Sequence, residues 1–166
     1  MGSSDKNLQP LILQSMLLQA PQTTFSYLLL QALTHVSWLG LLLAFLAYFL
    51  LGGLWYTKLF PKAYGAAMGK ASVIQESSAV DYIVGPGGGV LMITLANAVL
   101  LRVLFVESYA GALLFALVIG VGLVLPVTVI NAINPNSPRP YLYSLITGGY
   151  HLVGILLGCL ILVTLR

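Results

Sequence analysis

The sequence predicts an all-α fold, a bundle of four transmembrane helices preceded by an amphipathic, interfacial N-terminal segment. Three observations predict it. Of 166 residues, 59% are hydrophobic and only 7% charged, against roughly a quarter charged in soluble domains. Seven basic and four acidic side chains do not cover the surface of a soluble domain of this length, so most of that surface faces lipid. Four apolar stretches are each long enough to cross a bilayer, and the four acids (Asp5, Glu76, Asp81, Glu107) all fall outside them or at their ends.

Taken in order, residues 1–33 form the N-terminal segment and residues 34–166 the transmembrane domain. The start, MGSSDK, resembles the opening of an expression tag but carries no histidine run. A myristoylation signal needs Ser or Thr where Lys6 stands. A cleavable signal is a poor fit, since Gln14, Ser15 and Gln19 interrupt the apolar run and Leu18 stands where a small residue is needed. Leu8–Ala20 is too short to span. Its polar residues group on one side, as in an interfacial helix, but it has no basic face, so a partner protein is a better anchor for it than lipid charge. Phe25–Leu33 cannot simply extend the first span, because 32 unbroken residues would run about 48 Å.

The spans are His35–Tyr56, Val84–Val106, Tyr109–Ile133 and Tyr141–Leu165. At about 33 to 38 Å of helix each, they match a hydrocarbon core of about 30 Å with modest tilt. Backbone groups in lipid must be satisfied within the segment, so these are helices. Between the first two spans, Trp55 and Tyr56 read as an aromatic belt at headgroup level. Lys58 and Lys62 then reach lipid phosphates, and Pro61 ends the regular helix. The run Gly85–Gly89 has no Lys-Ser/Thr after it, so it reads as a flexible lead-in to the second span and not as a phosphate cradle. Pro126 removes one helix donor and frees the Gly122 carbonyl, bending the third span, with Thr128 and Asn131 just beyond. The turn Asn134–Pro140 is rigid. Lys58, Lys62, Lys70 and Arg139 outnumber the cations of the opposite side, Lys6, Arg102 and Arg166, by one. That bias places the first loop inside and both termini outside.

His151 is the one ionisable side chain deep in a span, close to the bilayer midplane. Thr147, His151, Gly154 and Gly158 share one helix face, and the last two form a small-xxx-small pattern that lets another helix approach. Asn97, at similar depth, and the hydroxyls of Tyr48 and Tyr150 are the candidate hydrogen-bond partners. His151, Asn97, Thr147 and Tyr150 therefore make the candidate mid-membrane polar site, and Gly154 and Gly158 the candidate helix-packing positions. As a structural pin, His151 contributes about 1 kcal/mol. As a functional residue it lines a solute or proton path or meets a bound lipid or quinone. With no acid beside it, the structural role is the simpler.

Other classes lack support. The lysines form no stripe with interleaved aromatics, so nucleic acid is set aside. One cysteine, Cys159, permits no intrachain disulfide and no Cys-based zinc site. His35 begins the first span about 21 Å from the depth of His151, which disfavours a shared haem or metal. No metal or cofactor is expected, and no Ser-His-Asp order or paired carboxylate supports catalysis.

The motifs GGLWY, KLFPKAY and GGYHLV together resemble the domain-of-unknown-function family 1761, small four-helix membrane proteins of bacteria and some fungi. Gly52, Trp55 and Tyr56 match its first motif. Phe60, Lys62 and Tyr64 match the second loosely, with Pro61 where Gly is usual. Gly149, Tyr150 and His151 match the third, and Asn131 stands where the family often has Asn. The resemblance covers Gly52 to Leu162 and implies a four-helix fold resident in a membrane, bacterial inner or organellar, with no reaction attached. On these grounds the expected role is a structural or accessory subunit of an oligomer or larger complex. The alternative is a small channel or carrier built on His151 and Asn97.

Overall fold

Ser37 sets where the first crossing begins. Its hydroxyl accepts a hydrogen bond from Gly40 N–H at 3.2 Å, satisfying one of the donors that a helix start leaves open. The computed structural model describes residues 25–69, 79–134 and 137–166. The expected interfacial piece Leu8–Ala20 lies outside them, as do Lys6, Lys70 and Glu76.

Contacts divide the chain into two units, Met1–His35 and Val36–Arg166. In the first, α1 is a short apolar helix, Phe25–Thr34. It closes locally: His35 N–H donates to Gln31 O at 3.0 Å, and the Thr34 hydroxyl donates to Leu30 O at 3.0 Å.

In the second unit, α2 (Trp38–Leu54) runs on through a wide π turn, Trp55–Leu59, giving a span of 22 residues in all. Phe60 leaves helical geometry, and Pro61 opens α3 (Pro61–Ala67). A proline is well placed at a first helical position, where its missing N–H costs nothing. Gly69, at φ +67°, turns the chain away after α3 in a conformation that side chains resist.

The second crossing is α4 (Ala79–Val103). Here the structure corrects the expectation of a flexible lead-in: Gly85, Pro86 and Gly87–Gly89 all lie within the helix. Membrane depth favours this, because a backbone without water must keep its bonds within the segment even at a proline. The helix ends at Phe105, φ 53°, with Val106 N–H donating to Leu101 O and Phe105 N–H to Arg102 O. That is a Schellman closure with Phe where Gly is usual.

Ser108 caps α5 (Tyr109–Ile119) by accepting from Gly111 N–H at 3.0 Å. A second π turn, Gly120–Val124, leads into α6 (Leu125–Ala132), so the third crossing is continuous from Tyr109 to Ala132. The bend expected at Pro126 takes the form of this turn. Leu125 N–H reaches back to Gly120 O, and the widened register makes room for the proline ring. The Thr128 hydroxyl donates to Val124 O at 2.8 Å. The last crossing is α7 (Pro140–Thr164), again with proline in its first turn.

Four helices long and apolar enough to cross a membrane make this a multi-pass membrane protein. They do not form a symmetric square. α7 packs against α2, α3, α4, α5 and α6, whereas α2 adds only α4, and no comparable packing joins α4 to α5 or α6. Burial agrees: 44% of the α7 span window is buried, against 22% in each other crossing. The last helix is the axis of the fold. On it, Leu152 fills the space over Gly120, and Leu125 fills the space over Gly148. This reciprocal fit holds the third crossing to α7.

Candidate functional site

His151 is the twelfth of 25 residues in α7, about 17 Å from the helix start and about 20 Å from its end. Its Nδ1 lies 2.6 Å from the hydroxyl of Tyr48 on α2. The same hydroxyl is 3.4 Å from the His151 carbonyl, a much weaker contact. Tyr48 is fully buried. Its ring reaches this depth because Gly154, one turn beyond His151, has no side chain: a Cβ there would overlap the Tyr48 ring. Gly158 is also buried, yet a Cβ on it would meet nothing within 4 Å.

The residues that resemble family motifs meet one another across the α2–α7 seam. A Cβ on Gly52 would stand 2.9 Å from the Tyr150 hydroxyl. Trp55 Nε1–H donates to Ile146 O at 3.0 Å, and a Cβ on Gly149 would lie 3.5 Å from the Trp55 ring. Tyr150 packs between Tyr48, with ring centroids 5.3 Å apart, and Tyr56, at 5.4 Å. Tyr56 also meets Tyr64 of α3 edge-on. Trp55 and Tyr56 therefore turn onto α7 at the end of the span where the aromatic belt was expected; the gap at Gly149 admits the Trp55 ring. Lys58 and Lys62 are exposed at the same end.

His151 also lines a cleft of about 430 Å³. It is the gap between α4 and α6 that lies over α7. Tyr143, Thr147 and His151, spaced by four, line its floor as one face of α7. Thr128 and Asn131 line the α6 wall, and Leu123 and Val127, both more than half exposed, form its rim. Thr147 Oγ1 is buried without a hydrogen-bond partner among the described residues. The Tyr56 phenol is close enough to interact with it, but outside hydrogen-bond geometry.

This placement separates the candidate residues. His151 and Thr147 share the cleft, while Tyr150 belongs to the α2–α7 seam. Asn97 is buried and lines no part of the cleft, whereas Asn131, next to the end of the third crossing, does line it. The i, i+4, i+8 spacing of Tyr143, Thr147 and His151 is the signal that would have found Tyr143. Chemically, the site can donate and accept hydrogen bonds at mid-depth. Among the described residues no three His, Cys, Asp or Glu side chains gather to hold a metal.

Comparison with curated proteins and with solved structures returns no match. A family model described as "Protein of unknown function (DUF1761)" matches residues 39–163, a stretch that takes in all four crossings, the α2–α7 seam and the cleft. The chain belongs to the DUF1761 family.

Proposed function

We propose that the protein works by binding a small lipid-soluble molecule in the cleft between α4 and α6, as the binding step of a carrier. One observation carries this reading: a mid-membrane histidine, fixed at Nδ1 by Tyr48, faces a cleft lined by Thr147, Thr128, Asn131 and Tyr143. A histidine at this depth is costly unless it is partnered or used. A volume of about 430 Å³ lies in the usual range of small-ligand pockets. The exposed rim residues Leu123 and Val127 open it sideways, toward the acyl chains.

A structural-subunit role draws on glycine faces free to dock on partners. Gly154, Gly52 and Gly149 instead receive Tyr48, Tyr150 and Trp55 of the same chain. The subunit reading then rests on Gly158, where a Cβ would meet nothing within 4 Å, and on the N-terminal segment outside the described residues.

The test is to purify the protein in native-lipid nanodiscs and identify retained small molecules by mass spectrometry. Val127→Trp blocks the rim without disturbing the core, because Val127 is 54% exposed. Val118→Trp, at a position 66% exposed and away from the cleft, is the control. A molecule retained by wild type and Val118→Trp but lost in Val127→Trp and His151→Leu supports the reading. Identical contents in all four proteins would reject it.

A further inference from the structure

We infer that the cleft selects a neutral, lipid-soluble molecule that offers a carbonyl oxygen to the Nε2–H of His151; this rests on the binding role proposed above. The inference starts from the two hydrogens shared by Tyr48 and His151. If the phenol donates to Nδ1, the 2.6 Å contact is satisfied and the imidazole proton sits on Nε2. If Nδ1–H donates instead, the phenol hydrogen is left with only the His151 carbonyl, 3.4 Å away. A hydroxyl donor prefers acceptors nearer 2.7 Å, so the first arrangement wins. The partner of one ring nitrogen decides the tautomer, and hence the role of the other nitrogen.

Nε2 has no hydrogen-bond partner among the described residues, and the His151 side chain, held at Nδ1 by Tyr48, lines the cleft. The cleft therefore presents a donor at mid-membrane. Of its neighbours, Thr128 directs its hydrogen to Val124 O, and the Thr147 hydroxyl is buried beside the Tyr56 phenol. An anionic ligand is disfavoured, since the described cations Lys58, Lys62, Arg102, Arg139 and Arg166 all lie at the ends of the crossings. The bilayer's own ester carbonyls share this chemistry but sit near the headgroups, away from the depth of His151.

The test uses the full chain in nanodiscs of ether-linked lipids, which lack ester carbonyls. The sequence has two histidines, so ¹⁵N labelling with His35→Gln isolates the His151 signals. The expected spectrum shows Nε2 protonated and Nδ1 bare. A short-tailed benzoquinone should shift Nε2 and bind at least tenfold more tightly than its carbonyl-free hydrocarbon analogue. His151→Phe should abolish that preference. A proton on Nδ1 overturns the inference. Equal binding of both probes, still blocked by Val127→Trp, also overturns it while leaving the cleft as a binding site. Binding of neither probe, or binding untouched by Val127→Trp, removes the proposed function as well. A shift in Nε2 on moving to ester-linked lipids without probe keeps the carbonyl class and assigns its source to lipid.

Discussion

Gly154 and Tyr48 occupy one packing position between them: the tyrosine ring of α2 lies where a side chain on residue 154 of α7 would be. This pairing brings the Tyr48 hydroxyl within 2.6 Å of His151 and sets the closest approach of the two helices. Gly154→Ala should therefore destabilise the fold by several kcal/mol, since a buried ring with no free space must move. Gly158→Ala, where a Cβ meets nothing, should be neutral or stabilising by up to about 1 kcal/mol. Thermal unfolding in mild detergent checks both. Equal losses would show that the two glycines serve one external interface.

The Tyr48–His151 bond should behave as a coupled pair. Tyr48→Phe should cost about 1 kcal/mol, in line with hydrogen bonds between membrane helices. In a His151→Leu background the same substitution should cost clearly less, because no ring nitrogen remains to be orphaned. A double-mutant cycle measured by reversible unfolding gives the coupling. Strict additivity would mean that the hydrogen bond is not formed in the membrane.

Gly52 and Tyr150 offer a steric test. A methyl on Gly52 would press on the Tyr150 hydroxyl at 2.9 Å, tighter than real contacts allow. Gly52→Ala should lower stability by about 1 to 3 kcal/mol. Adding Tyr150→Phe, which deletes the crowding oxygen, should restore part of that loss. No rescue would place the damage in the backbone of α2.

Trp55 and Lys62 separate packing from anchoring. Trp55→Phe loses the bond to Ile146 O and should cost about 1 kcal/mol. Lys62→Ala, on an exposed side chain, should change stability by less than about 0.5 kcal/mol. Similar small effects from both would return Trp55 to the headgroup layer.

Much of the architecture was legible in the residue order. The crossings at Trp38–Leu59, Ile83–Val103, Tyr109–Ala132 and Pro140–Thr164 fall within a few residues of the apolar runs that announced them. Serines and prolines mark where helices start, and the depth of His151 follows from counting along α7. Tyr48 was among the partners that depth alone allowed for His151. Asn97 was equally eligible by depth and lies elsewhere in the fold. Trp55 and Tyr56 stand at the end of a crossing, as expected, and pack onto α7 there, a contact that position along the chain did not announce.

The sequence by itself determined how many times the chain crosses, where each crossing begins and ends, and which polar group lies deepest. Those are properties along a line, fixed by matching apolar length to bilayer thickness. Tertiary structure alone decided how each helix is rotated: that Tyr48 faces His151, that Trp55 turns to Ile146, and that Asn131 lines the cleft in place of Asn97. In water a helix announces its inner face by the contrast between apolar and polar sides. In lipid the outside is as apolar as the inside, so rotation is chosen by shape, by where a glycine leaves room and a ring can fill it.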